Sequence, residues 1–212
     1  MAARANTFRA EAASTPDALH FTPDPEANRL LAREPLAAMI GMLLDQQVTM
    51  EWAFGAPLLL KRRLGVDHLD ANAIAAMDPA ALEEVFRAKP ALHRYPASMA
   101  KRTYDLCRFL VEHYDGRAEG VWAGVASGEE LLARVQALPG FGKDKSRIFV
   151  GLLGKRLAIP TPGWEKVAAD WPSIADVDSF ERVAEIRAQK RAAKAAKKAG
   201  KPAGARSGAS KR

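Results

Sequence analysis

The most informative segment of the sequence is Leu131-Leu132-Ala133-Arg134-Val135-Gln136-Ala137-Leu138-Pro139-Gly140-Phe141-Gly142-Lys143-Asp144-Lys145-Ser146-Arg147-Ile148. Apolar residues at helical spacing precede Leu138, and a second apolar helix follows Gly142 at once, so the stretch predicts two helices joined by a tight turn. The glycines let the backbone turn sharply and leave N–H groups uncovered at a helix N-terminus. Such a turn suits a phosphate oxygen, and Lys143, Lys145 and Arg147 place positive charge beside it.

Helical patterns continue on both sides of this hairpin, and strand-like alternation of useful length is absent. Helix starts are marked by Asp70, Asp78-Pro79, Tyr95-Pro96 and Ser127. The predicted helices cover residues 35 to about 50, 51–64 with Gly65 at the end, 70–77, 80–88, 95 to about 115, 128–137 and 144–157. The sequence therefore predicts an all-α fold with short connections.

The chain divides into three segments by composition. A proline-containing leader covers residues 1–25, a helical body covers 26–180, and a basic tail rich in lysine and alanine covers 181–212. Within the leader, His20-Phe21-Thr22 is a candidate for a short extended segment that packs on the body. We expect the tail to be helical through Lys198 and disordered beyond Gly200.

The charge of the chain is unevenly distributed. Its 32 Lys+Arg and 25 Asp+Glu give a formal net charge of +7, but ten of the basic residues lie between Arg187 and the C-terminus, where no acid occurs. Residues 1–186 hold 22 basic and 25 acidic side chains, a net charge of −3. Two interpretations of the tail stay open: it raises affinity for a nucleic acid through counterion release, or it keeps the protein in solution without a partner.

The composition excludes several classes of protein. Cys107 is the single cysteine, which excludes a disulfide framework, a cysteine-based zinc site and a four-cysteine iron–sulfur cluster. The four histidines are scattered, so we expect no metal site and no cofactor. The longest apolar runs reach about eight residues, against roughly twenty for a membrane span, and the first residues lack the apolar region of a secretory signal. We expect a cytoplasmic protein without a membrane partner.

A second informative element lies about ninety residues before the hairpin. It reads Leu43-Leu44-Asp45-Gln46-Gln47-Val48-Thr49 and ends an apolar helix. An amide side chain both donates and accepts hydrogen bonds, so it would suit the unpaired edge of a base whose partner has left the stack. The alternative is an ordinary polar helix end.

Together, the Leu-Pro-Gly-Phe-Gly-Lys turn and the Leu-x-x-Gln-Gln element resemble the HhH-GPD superfamily of base-excision DNA glycosylases, which includes endonuclease III. The resemblance covers residues 36–157, with the helix-hairpin-helix at 129–157. It implies an HhH-GPD glycosylase-like helical fold and binding of double-stranded DNA. By similarity, Gly140, Phe141, Gly142, Lys143, Lys145 and Arg147 would contact DNA at the hairpin, and Gln47, or else Gln46, would fill the gap left by a flipped nucleotide.

The resemblance fails at the catalytic position. Family members carry an aspartate roughly twenty residues after the hairpin, which stabilises positive charge on the sugar or activates the nucleophile. Here that position falls near Thr161, in a segment without aspartate. Glu165, about three residues later, and Asp45, beside the glutamines, are the replacement candidates. The lysine nucleophile of some members falls at Asp144, and a one-residue shift would be needed to bring in Lys145.

Three tryptophans complete the list of candidates. Trp164 falls in the expected active-site loop, where it would stack on an extruded base or else pack in the core. Trp52 and Trp122 are interpreted as packing residues.

Three functions therefore remain open after the sequence. The first is a monomeric, nucleoid-associated glycosylase-type repair protein that recognises damaged or mismatched bases and cleaves, if at all, with a non-standard carboxylate. The second is a non-catalytic DNA-binding module that senses lesions or structures. The third is a helical protein-interaction domain whose tail alone contacts nucleic acid.

Overall fold

The computed structural model describes residues 16–159 and 161–199. These residues form ten α-helices and no strand, which confirms the all-α prediction. In chain order the helices are α1 (Pro25–Arg33), α2 (Pro35–Leu44), α3 (Met50–Leu64), α4 (Ala71–Ala76), α5 (Pro79–Arg87), α6 (Pro96–Tyr114), α7 (Gly128–Ala137), α8 (Lys143–Arg156), α9 (Trp164–Val167) and α10 (Phe180–Ala199). The disorder predicted beyond Gly200 lies outside the described residues, and so do residues 1–15 of the leader.

The predicted start and stop signals act as helix caps. The carboxylates of Asp70 and Asp78 accept hydrogen bonds from the first turns of α4 and α5, and the hydroxyl of Ser127 does the same for α7. Gly65 closes α3 in the left-handed conformation, with φ of 67°. Three short polar side chains and one glycine therefore mark the boundaries of four helices.

Helix α2 lies at the centre of the body. Nine of its ten residues are buried, which matches a segment that is apolar on every face. A Cβ added to Gly41 would lie 2.6 Å from Cδ1 of Phe54, so the glycine permits close approach of α3. The ring of Phe54 also meets Phe21 edge to face, with 5.0 Å between centroids. The leader segment around Phe21 is thus part of the core.

The helix predicted from residue 35 to about residue 50 is shorter than expected, because α2 ends at Leu44. Asp45 leaves the helical region with φ of −70° and ψ of 71°. Gln47 then adopts the left-handed conformation, with φ of 58°, and the Thr49 hydroxyl accepts a hydrogen bond from the first turn of α3. The glutamine element is therefore a loop between two helices, here called the 45–49 loop.

The predicted hairpin is present, with α7 and α8 joined by a turn at residues 138–142. Gly140 has φ of 84°, and a Cβ added to it would lie 2.4 Å from Cδ1 of Leu43. The turn therefore packs directly on the C-terminal end of α2. Phe141 is buried and meets Phe149 edge to face at 5.5 Å.

Helix α10 begins at the predicted boundary between body and tail, but its first turns belong to the core. Val183 and Ile186 are buried. The packed body therefore extends to about residue 186. The rest of the helix, to Ala199, carries most of the basic residues that the sequence assigned to the tail.

The contact between Gly140 and Leu43 predicts unequal effects for the two hairpin glycines. We expect Gly140→Ala to lower the free energy of unfolding by about 1–2 kcal/mol, because alanine is strained at positive φ and its Cβ would meet Leu43. Gly142→Ala is the matched control, since a Cβ there has open space and φ is −73°. Urea unfolding measures both, and equal losses would contradict the packing described here.

Candidate functional site

Lys145 joins the start of α8 to the end of α2. Its Nζ donates hydrogen bonds to the backbone oxygens of Met42 and Leu43, each at 2.7 Å. The last carbonyls of a helix lack helical partners and carry partial negative charge, so a cation suits this position. Lys145 thereby caps α2 from a distance of about one hundred residues along the chain.

The surroundings of Lys145 lower the pKa of its ammonium group. Burial lowers the pKa of Lys145 to about 8, the nearby Asp45 carboxylate opposes this change, and the Arg102 guanidinium adds to it. Asp45 and Lys145 are therefore close enough to interact electrostatically. Together with Gln46, Gln47, His93 and Arg102 they form what is here called the α2-end cluster.

The two glutamines of the 45–49 loop have different roles. The Gln46 side chain is fixed by the protein: its Nε2 donates to the Leu43 oxygen at 2.8 Å, and its Oε1 accepts from Arg102 at 3.1 Å. Gln47 is exposed, and its Oε1 accepts a hydrogen bond of 3.4 Å from the Tyr95 hydroxyl. Of the two predicted wedge residues, Gln47 is the one whose side chain is presented to solvent.

The buried His93 ring holds the 45–49 loop by a hydrogen bond to the loop backbone. The ring is fully buried, and its Nδ1 accepts a hydrogen bond of 3.0 Å from the Tyr95 amide. The proton therefore belongs on Nε2, which donates to the Gln46 oxygen at 3.0 Å. Burial lowers the pKa of His93, while hydrogen bonds to the backbone of Gln46 and Leu44 oppose this change. A neutral imidazole thus holds the loop.

Two aromatic side chains are exposed at the edge of the cluster. Trp52 and Tyr95 are each 42% accessible, and their rings lie 6.3 and 6.1 Å from the buried ring of His93. The Trp52 indole also donates to the Ala91 oxygen at 3.1 Å. The interpretation of Trp52 as a packing residue is therefore wrong, because its indole is held at the surface beside the 45–49 loop.

The first turn of α8 lies next to the cluster and is open. Gly140, Gly142 and Lys143 are exposed, and no side chain caps the N-terminus of α8. Lys143 is thus placed as the sequence predicted, with its charge in solvent beside uncovered backbone amides.

Two other hairpin residues, Phe141 and Arg147, make contacts within the protein. Phe141 lies in the core, and its amide donates to the Leu138 oxygen, so neither its ring nor its N–H is available to a ligand. The Arg147 guanidinium donates to the oxygens of Val167 and Ala168 and lies 4.6 Å from the Trp171 ring. Both were predicted to contact DNA, but the structure assigns them to packing and to holding the segment 167–171.

The predicted residues after α8 lie apart from the cluster. The half-buried Trp164 ring packs on Gly154, where a Cβ would lie 2.4 Å from the indole, as in the packing alternative that the sequence left open. Gly154 is twelve residues after Gly142, which is about 18 Å along a helix. Glu165 is exposed next to Trp164. Of the two predicted carboxylates, the structure therefore brings only Asp45 to the glutamine loop.

Four residues of this site were missed by the sequence reasoning: Trp52, His93, Tyr95 and Arg102. The start of α6 at Tyr95-Pro96 was visible in the sequence, but it indicated a helix boundary and no function. His93, Tyr95 and Arg102 lie roughly fifty residues from the glutamine loop, so no local pattern would have found them. Trp52 follows the loop by three residues, and its residue type favoured packing.

Comparisons with models of known protein families, with curated proteins and with solved structures find no significant match to this chain. Among the helices of the described residues, none combines the length and the apolar character needed to cross a membrane.

The burial of Lys145 predicts a stability that depends on pH. Its folded pKa of about 8 lies below the ordinary value of 10.5, so between these values the unfolded chain binds more protons and the free energy of unfolding rises with pH. We expect a rise of up to about 3 kcal/mol from this group. Lys145→Met would remove this part of the rise, whereas Lys143→Met, at an exposed position, would leave it. Unfolding measured at pH 7 to 10.5 tests this, and identical profiles would contradict it.

Proposed function

We propose that this protein binds double-stranded DNA as a base-excision-repair protein of glycosylase type with an HhH-GPD-like helical body. The observation that carries the proposal is the juxtaposition of two elements at the end of α2. These are the open first turn of α8 and the exposed Gln47, joined through Gly140 on Leu43 and Lys145 on the α2 carbonyls. We further propose that it acts as a monomer associated with the nucleoid.

The phosphate contact would be made by the hairpin. Uncapped amides at the start of α8 and the helix dipole favour an anion, and the exposed Lys143 adds a charge. Lys145 would act indirectly, since its ammonium group is already bound to α2. The contact would position DNA without reading its sequence.

The base contact would be made from the 45–49 loop. The exposed Gln47 amide would enter the gap left by a flipped nucleotide and bond to the edge of the orphaned base. Trp52 and Tyr95, partly exposed beside it, would offer aromatic surface on which an unstacked base can pack. Gln46, His93 and Arg102 would keep the loop in position.

Hydrolysis of the N-glycosidic bond would depend on Asp45. A carboxylate there would stabilise the positive charge that develops on the sugar, or accept a proton from the attacking water. The Lys145 ammonium group interacts electrostatically with the neighbouring Asp45 carboxylate. Glu165 is disfavoured because it lies next to Trp164, at the far end of α8.

A second candidate function is a non-catalytic module that senses lesions or DNA structures. It is favoured by the separation of Glu165 from the cluster, which leaves Asp45 as the single predicted carboxylate beside Gln47.

DNA binding is tested by titrating a fluorescent duplex with the full chain. We expect Lys143→Ala to weaken binding and to make the dependence of log K on log salt shallower by about 0.9, the contribution of roughly one phosphate contact. Lys166→Ala is the control, because Lys166 is an exposed lysine of α9 and belongs to neither the hairpin turn nor the 45–49 loop. Equal effects of the two variants would contradict the hairpin contact.

Catalysis is tested by single-turnover incubation with duplexes carrying uracil, hypoxanthine, alkylpurines, 8-oxoguanine or thymine mismatches, followed by alkali to reveal abasic sites. We expect Asp45→Asn to abolish product, by a factor of a hundred or more, and Glu165→Gln to retain it. Binding of all duplexes without product from any would favour the non-catalytic module. Product that depends on Glu165 would overturn the role of Asp45.

A further inference from the structure

Helix α10 has a docked half and a basic half. Val183 and Ile186 are buried in the body, and the Arg187 guanidinium pairs with the Glu51 carboxylate at the start of α3. The helix then continues for twelve residues to Ala199. Further on, Arg191 is exposed. The basic segment therefore begins as a continuation of a packed helix.

The ion pair between Glu51 and Arg187 fixes how α10 is docked. Glu51 Oε2 is buried and has no hydrogen-bond partner within the described part of the chain, so Arg187 supplies the compensating charge through Oε1. Glu51 lies between Thr49, the cap of α3, and the exposed Trp52. Arg187 is thus attached at the base of the 45–49 loop.

The direction of α10 follows from its neighbours. Arg182 and Glu185 share a cleft with Lys155, near the C-terminal end of α8. Ile186 and Gln189 line a neighbouring cleft with Asp170 and Trp171, which also includes Lys155 and Arg182. Arg187 then pairs with Glu51 in the first turn of α3, which follows the 45–49 loop. Helix α10 therefore leads from the C-terminal end of α8 toward the start of α3.

The basic positions of α10 form a stripe by their spacing. At 3.6 residues per turn, positions 187, 190, 191, 194, 197 and 198 fall within an arc of about 120°, which also contains the docked position 183. Alanine occupies positions 188, 192, 195 and 199 on other faces. By helical spacing, these positions therefore continue the line along which the first turns of the helix are docked.

We infer that α10 is a positioned second contact for double-stranded DNA and that the pair of Glu51 and Arg187 sets its orientation. This inference rests on the function proposed above. The twelve residues after Arg187 span about 18 Å, or roughly five base pairs at 3.4 Å each. The stripe would contact phosphates of the duplex flanking the site at Gln47. A tail acting as a flexible tether would have no preferred face.

The test variant has the same composition and net charge as the original chain. It differs only in which face of α10 carries two of the lysines. The variant K190A/A192K/K194A/A196K moves two cations from the stripe to the opposite side of α10. For a 24-base-pair duplex we expect binding about tenfold weaker in 0.1 M salt and a salt dependence shallower by about 1.8, since each phosphate contact contributes roughly 0.9. The second variant, Arg187→Gln, should change both quantities in the same direction. Circular dichroism of each variant checks that α10 still forms.

The outcomes separate this inference from the proposed function. Unchanged binding of the rotated variant, with Lys143→Ala still weakening the complex, would overturn the positioned helix and leave the hairpin contact standing. Binding that depends on the stripe but is indifferent to Lys143 would support the helix and contradict the hairpin contact. A full chain that does not bind duplex DNA at all would overturn both.

Discussion

The ammonium group of Lys145 connects the two halves of the site. It occupies the carbonyls at the end of α2, where helix geometry leaves them without partners, and it brings the hairpin of α7 and α8 against this end. This contact buries the charge of the ammonium group, which costs free energy and lowers the pKa of Lys145. The neighbouring Asp45 carboxylate offsets part of that cost. The 45–49 loop follows directly from α2. The position of Gln47 relative to the hairpin therefore depends on this contact, together with the packing of Gly140 on Leu43.

Local features, and not the overall charge, would allow a body of net negative charge to bind a polyanion. Residues 1–186 carry a net charge of −3, so their overall field does not attract DNA. The favourable elements are local: the open amides at the start of α8, the exposed Lys143, and the basic half of α10. In the proposed complex each element has a separate role. The hairpin positions the protein on the duplex, Gln47 contacts the base, and α10 supplies affinity that depends on salt.

Local signals predicted most of the fold, whereas the site depends on contacts that are distant in sequence. Asp70, Asp78, Ser127 and Gly65 act within one turn, so helix boundaries could be predicted from them. The early end of α2 could not, because His93 and Arg102 hold the 45–49 loop from about fifty residues away. The resemblance implied DNA contacts for Phe141 and Arg147, and base stacking or packing for Trp164; tertiary packing gives each of them a partner within the protein.

The central claim is that the hairpin turn and the 45–49 loop form one DNA-binding surface at the end of α2. The most direct measurement is the change in backbone amide chemical shifts when the full chain is titrated with an undamaged 12-base-pair duplex. We predict the largest changes at residues 140–144 and 46–49, with small changes at residues 161–166 near Glu165. Changes concentrated at 161–166, or confined to α10 without any at the hairpin, would contradict the claim.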